Sequence, residues 1–358
     1  MTSQKNLKLN KFDSFGRKKI IVQLNGGTGN QLFQLATCFT IAKNNNRDAY
    51  YSPRLLGGFR KLEVKEIAKK LNIYEYNFTK KSKLQIIDSE ELNHPAIFSK
   101  FPISNFLPNV DILFSTNLQN YRIFSDNFIS ILKRKAVLDY QKISFKNNNF
   151  ISIHLRELHA SGTNKPLKWV DNLNINYYKR SLEEALSYLK EKQIKEKRCL
   201  IFKDTFKDVS RSNLLIPLKK ILKENDFEII DGDELCNSSW EVISLMSNSK
   251  VVITSNSSFS WWGAFLSKGL KISPILSLWE GCLCTPDGWL QINDGNINPS
   301  IWNKQAIFGK ITFKKKFYFT NNIFYKKLKH LFIFYIVPKT FISIFFKFNL
   351  LKRKSLLS

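Results

Sequence analysis

Short apolar runs, each bounded by polar residues, set the rhythm of the chain. KKIIVQL (18–24) reads as a buried strand, with its apolar residues following a polar flank. NGGTGN (25–30) after it is a turn. Leu32, Leu35, Ala36, Phe39 and Ala42 then recur at helical spacing until KNNN ends the helix. DAYYS (48–52) predicts the next strand, and the pattern is less regular from there to about residue 140. From residue 150 the alternation is clear. FISIHL, CLIFK, FEIID, KVVIT and KISPIL read as short buried strands, with helical patterns such as NYYKRSLEEALSYLKEK and SWEVISLMSN between them. Strands alternating with helices predict an α/β fold with parallel sheets and right-handed crossovers.

At 358 residues the chain exceeds the usual single-domain size. The expected plan is a flexible N-terminus (1–18), an α/β domain over 19–145, a second over 146–312, and a separate tail (313–358). The joint is expected near 135–148, where SFKNNN is polar. In such sheets ligands sit beyond the carboxyl ends of the strands, and the unusual residues of this chain follow strands.

The formal charge of +27 invites a nucleic-acid or anionic-membrane reading. Lys, Asn, Ile and Phe are abundant together, however, a bias of AT-rich coding that raises lysine without any function. Residues 313–358 carry 11 of the basic residues and no acid. Cys38, Cys199, Cys236, Cys282 and Cys284 are an odd and scattered set, and with four histidines they form no zinc spacing. They read as reduced thiols. The first residues contain no apolar core of a signal peptide, so none is expected.

Five segments are candidates for chemistry. In GGTGNQLFQLA (26–36), Gly26, Gly27 and Gly29 permit a tight turn, and the helix start behind them can receive an anion or a sugar oxygen. It is neither a Walker A loop nor a dinucleotide fingerprint, because no Gly-Lys-Ser/Thr follows and Leu32 replaces the third glycine. A plain strand–helix turn is the alternative. In ISIHLRELHA (151–160), His154 and Arg156 lie two apart at a strand end and so share a face. The guanidinium there can bind phosphate oxygens bidentately or close a structural ion pair. Asp204 ends LIFKD (200–204), as an acceptor for a guanine edge or ribose hydroxyl, or as a helix cap. DGD (231–233) is a chelating Asp-x-Asp or, more simply, an Asp-Gly turn. In SNSSFSWWG (255–263), hydroxyls and N–H groups at a helix start suit phosphate, or else cap a helix whose Trp261 and Trp262 enter the core.

Taken in order, these motifs resemble GT-B-like fucosyltransferases, most closely the bacterial α-1,2-fucosyltransferases of glycosyltransferase family 11. GGTGNQLFQLATCFTIA is similar to the family's GGLGNQ signature, LQNYRIF (118–124) to its FQSEKYF segment, and SLMSNSKVVITSNSSFSWWGAFLS (244–267) to its serine–tryptophan motif. PDGW (286–289) fits the terminal Pro-x-x-Trp, and the likeness covers about residues 19–290. The resemblance implies two Rossmann-like domains facing across a cleft, a GDP-fucose donor, no cofactor and no obligatory metal. It implies Arg156 on the diphosphate, with His154, Asp204, Asn256, Ser257, Ser258 and Ser260 lining the donor site. Gly26, Gly27, Gly29, Asn30 and Gln31 would form the acceptor side, with Asn30 facing the reacting centre. The chemistry would be an inverting displacement at the fucose anomeric carbon, with electrostatic stabilisation of departing GDP.

The family's Arg-Arg-Gly-Asp is here Arg156-Glu157-Leu158-His159, so its aspartate base is missing, and Thr205 replaces another aspartate. Glu157 and His159 are the candidate bases, and each also reads as solvated loop. The basic, aromatic tail holds an apolar stretch over 331–346, short of the roughly 20 residues a spanning helix needs. It suits an anionic membrane surface. The expected role is addition of fucose to a galactose-containing, lipid-linked oligosaccharide at the cytoplasmic face of a bacterial inner membrane, as in O-antigen synthesis. The alternatives are a transferase of another GDP-sugar or linkage, and a catalytically impaired glycan-binding relative. Nucleic-acid binding is disfavoured, because no recognition module accompanies the charge.

Overall fold

The computed structural model describes residues 17–53, 56, 61–78, 84–88, 109–115, 121–145, 149–157, 173–204, 212–274 and 285–292. All of them belong to one compact unit. The first half builds a parallel sheet from β1 (Lys19–Gln23), β2 (Asp48–Ser52), β3 (Tyr74–Glu75), β4 (Leu84–Asp88) and β5 (Asp111–Ser115), in the order β3-β2-β1-β5-β4. The second half builds another from β6 (Phe150–Arg156), β7 (Arg198–Asp204), β8 (Glu228–Asp231), β9 (Val251–Ile253), β10 (Leu270–Pro274) and β11 (Leu290–Ile292), in the order β11-β10-β9-β6-β7-β8. Among the described residues every strand pairing is parallel. The α/β expectation holds, and the strands read from 150 onward fall where the apolar runs place them.

Helices make the crossovers. They are α1 (Thr28–Asn44), α2 (Lys65–Lys70), α3 (Asp126–Tyr140), α4 (Ile175–Glu191), α5 (Leu215–Glu224), α6 (Ser239–Ser247) and α7 (Ser258–Leu266). The helix α1 starts inside the expected turn, and α3 occupies 135–140, the first part of the expected joint. Its buried Leu132, Ala136 and Tyr140 recur at i, i+4 spacing, so one face enters the core although its sequence is rich in charge.

The core explains why α1 carries almost no polar face. Its Leu32, Phe33, Leu35 and Ala36 are fully buried, because the helix lies between the first sheet and α7. Phe33, Phe124 and Phe128 form one cluster with Trp240, Trp261 and Trp262, so the two sheet halves share a core. Trp262 stacks on Phe124 at 5.4 Å between centroids and meets Phe33 at 5.0 Å. On the α3–α6 contact, Trp240 Nε1 donates to Asp139 Oδ2 at 2.9 Å, and Lys142 Nζ donates to Asp139 Oδ1 at 2.8 Å. Lys135 binds the same carboxylate and lies over the Trp240 ring.

Among the described residues Cys38, Cys199 and Cys236 are free thiols. Burial pushes the Cys38 thiol up to about 12, against the lowering effect of backbone hydrogen bonds, and burial raises Cys199 too. These sulfurs are structural. Cys282 and Cys284 lie outside the described residues.

Candidate functional site

The carboxyl ends of β6 and β9 carry the site. They are neighbouring parallel strands whose pairing with each other stops at Ile153↔Ile253, while His154–Arg156 stay paired with β7 and Thr254 N stays bonded to Ile272 O. On β6, His154 is buried and its Nδ1 lies 2.7 Å from Ser255 Oγ. Arg156, half-buried, donates from Nη1 to the Asn256 carbonyl at 3.1 Å. The two residues share a face, as their spacing predicts, and both engage the turn after β9.

That turn is a compact hydrogen-bonded structure. Ser257 N donates to Ser255 O at 2.8 Å, Ser255 N donates to Ser260 Oγ at 3.2 Å, and Ser260 Oγ donates to Ser257 O at 3.3 Å. Ser257 caps α7, its hydroxyl accepting from Phe259 N at 3.2 Å. Thr254, Ser255, Asn256 and Ser257 are all buried. Polar groups can be buried at this density because nearly every one meets another.

The Gly-rich turn docks onto the same helix start. Ser258 Oγ donates to Asn30 Oδ1 at 2.6 Å, and Trp262 Nε1 donates to the Gly29 carbonyl at 3.0 Å. A Cβ at Gly29 would sit 2.5 Å from Phe259 N and the Ser258 carbonyl carbon, so only glycine allows this approach. Gly26 has φ +68°, the left-handed region, and a Cβ there would meet Asn30 Nδ2 at 2.3 Å. Gly27 is the N-cap of α1, with open space where a Cβ would go. Asn25 N donates to Gln34 Oε1 at 3.0 Å and Gln34 Nε2 donates to Asn25 Oδ1 at 2.8 Å, which fixes the turn from below.

The structure therefore brings His154, Arg156, Asn256, Ser257, Ser258, Ser260, Gly29 and Asn30 to one place, the start of α7. Gln31 does not join them. Its side chain is buried, donating to the Gly26 and Lys61 carbonyls and accepting from Glu63 N, so it ties the turn to the 61–63 segment. Glu157 points elsewhere as well. It accepts from Ser212 Oγ at 2.5 Å and Asn213 N at 2.9 Å, fastening the start of α5. Asp204 stands at the end of β7 in register with Arg156. His159, like residues 118–120 and the tail, lies outside the described residues. Asp231 and Asp233 of DGD serve Lys203. Asp231 pairs with its ammonium, and Asp233 Oδ2 accepts from its backbone amide at 2.9 Å. Among the described residues no group of three or more His, Cys, Asp or Glu side chains is placed to hold a metal ion.

Three participants escape a reading of sequence. Ser255 is the partner of His154, and Tyr177 and Tyr178 of α4 reach the backbone at the strand ends. Serine runs point to a helix start, but nothing local tells which hydroxyl faces a histidine about a hundred residues earlier.

Two parallel sheets, with a His-x-Arg strand end and a serine-capped helix start meeting at one point, make an α/β fold whose candidate site lies at the carboxyl ends of strands. The model of Glycosyl transferase family 11 matches residues 4–279, and the chain belongs to that family. It is 26% identical over 307 residues to an Alpha-1,2-colitosyltransferase of Escherichia coli, covering 76% of this chain and 98% of that protein. It is 23% identical over 290 residues to the O-antigen biosynthesis glycosyltransferase WbnK of Escherichia coli, covering 68% of this chain and 89% of that protein. Among solved structures, it is similar to POFUT1 in its apo form, with a TM-score of 0.40 and 14% identity over 70% of this chain and 94% of that one. The fucosyltransferase NodZ from Bradyrhizobium gives a TM-score of 0.40 and 12% identity over the same shares, 70% and 94%.

Proposed function

We propose that the protein is an inverting glycosyltransferase that moves L-fucose from GDP-fucose to the 2-OH of a galactoside, in the assembly of a bacterial surface polysaccharide. One observation carries the reading. The Arg156 guanidinium and the start of α7 meet at the carboxyl end of the second sheet, and a cation beside helix-start N–H groups suits a diphosphate. In this reading His154, Asp204, Asn256, Ser257, Ser258 and Ser260 line the donor site, while Asn30 and the glycine turn face the acceptor. The acceptor oxygen bonds to the fucose anomeric carbon as the bond to the β-phosphate oxygen breaks. The electron pair leaves with GDP, whose growing charge Arg156 and the helix-start N–H groups stabilise. Because Glu157 is fastened to Ser212 and Asn213, His159 is the proposed acceptor of the hydroxyl proton.

The likeness to a colitosyltransferase favours one second reading, the same α-1,2 transfer with a different deoxysugar on GDP. The likeness to an O-antigen enzyme supports a saccharide acceptor of that kind. The test is incubation with GDP-fucose and with the colitose donor, against a panel of β-galactosides, with and without chelator. Fucosylated product that survives chelation supports the first reading. Product from the colitose donor alone supports the second, and GDP binding without product from either points to a glycan-binding relative.

Among the described residues no helix is long and apolar enough to cross a membrane. The tail is proposed to hold the protein on the anionic inner face of the inner membrane, near a lipid-linked acceptor. Removal of residues after 312 should release it from anionic vesicles, and retained binding would refute that role.

A further inference from the structure

The first turn of α4 presents two adjacent tyrosines, both fully buried in the core of the second sheet, with rings 5.0 Å apart in an edge-to-face pair. Phenylalanine would fill the same volume without burying a hydroxyl, so the use of each hydroxyl is informative. Tyr177 OH donates to the Thr254 carbonyl at 2.7 Å, and Tyr178 OH donates to the His154 carbonyl at 3.2 Å. Both carbonyls lie one residue past Ile153↔Ile253, the last rung that β6 and β9 share. The Arg156 backbone amide also hydrogen-bonds the Tyr178 hydroxyl, whose acidity burial suppresses most, so it stays a donor. Asn174 sets the height of this turn, its side chain accepting from Asn176 N at 2.9 Å and Tyr177 N at 3.3 Å.

We infer that Tyr177 and Tyr178 are positioning residues for donor binding, their hydroxyls replacing the missing ladder between β6 and β9 and so setting where Arg156 meets the 255–258 turn. The inference rests on the donor reading above and extends it to residues that touch no substrate. Consecutive helix positions point about 100° apart, which lets one turn reach two neighbouring strand ends. Without the hydroxyls β6 stays paired with β7 through Arg156 and Thr254 N stays bonded to Ile272 O, but α4 no longer ties the end of β6 to the end of β9.

The experiment compares Tyr177→Phe, Tyr178→Phe and the double variant with Leu182→Ala, which opens the same core without a polar change. Loss of one buried hydrogen bond should weaken GDP binding, measured by calorimetry, about fivefold, and the double variant should lose more. Donor KM should rise while acceptor KM stays within about twofold, and amide exchange over residues 254–258 should accelerate in Tyr177→Phe. Leu182→Ala should lower Tm and leave GDP affinity and this exchange unchanged. Folded Phe variants that bind GDP like wild type, or equal weakening in Leu182→Ala, would overturn the inference. Wild-type protein that binds no GDP overturns the donor reading instead. The exchange comparison then still decides the positioning role, and unchanged exchange overturns it.

Discussion

Replacing Gly29 by alanine tests whether the two halves of the chain are locked together at the site. The new Cβ would lie 2.5 Å from Phe259 N and the Ser258 carbonyl carbon, and 2.7 Å from Ser258 O. All three are backbone atoms at the start of α7, so no side-chain rotation relieves the clash. Overpacking of this kind costs about 1–3 kcal/mol. Separating the helices also stretches the Trp262 Nε1 bond to the Gly29 carbonyl, which adds about 1 kcal/mol. A total of roughly 2–4 kcal/mol corresponds to a fall in Tm of about 3–5 °C for a chain of this size. The displaced helix start should also weaken GDP binding, since Ser257 and Ser258 move with it. Gly27→Ala is the internal control. Its backbone is extended and nothing lies within 4 Å of the added carbon, so its Tm should stay within about 2 °C of wild type. Differential scanning calorimetry and GDP titration read both quantities. Equal Tm and equal affinity in Gly29→Ala and Gly27→Ala would refute the interlock.

Arg156→Ala should leave the fold intact and lower GDP affinity by about 10–100-fold, the range of a charge-assisted contact, with turnover falling at least as far. Near-normal turnover in that variant would reject the proposed role. Glu157→Gln should reduce thermal stability through the Ser212 and Asn213 contacts by about 1 kcal/mol. Its kcat in folded protein should change less than threefold, and a larger loss would return Glu157 to the chemistry. Asp139 supplies a pH signature. Burial pushes its carboxyl up, but donation from Lys135, Lys142 and Trp240 outweighs this and holds it down at about 2. A depressed pKa stabilises the fold above the ordinary value, 3.8, and that contribution is lost as pH falls toward 2. Tm measured from pH 5 to 2 should therefore drop more steeply in wild type than in Asp139→Asn, and parallel curves would exclude this contribution of Asp139.

Much of the fold was legible because its determinants are local. KKIIVQL, DAYYS and the apolar runs after residue 150 announce parallel strands through their side chains alone, and the glycines and serines announce the turns. The stretch before residue 140 was less legible because β3 is two residues long and the charged surface of α3 masks its buried face. Within the site, the shared face of His154 and Arg156 follows from the two-residue period of a strand. The fate of Glu157 and Gln31 does not follow from any local rule. Each side chain turned to partners supplied by another segment, Glu157 to the Ser212 hydroxyl and Asn213 amide and Gln31 to the Lys61 carbonyl.

The tryptophan pair shows the division most clearly. The sequence by itself determined an α/β chain, a helix start after KVVIT, and serines suited to cap it. Only the tertiary structure decided that Ser258 binds Asn30 across 228 residues and that Trp262 binds the Gly29 carbonyl across 233. Capping and periodicity are set by neighbours within a turn, whereas the meeting of two helix starts depends on how two sheets share one core.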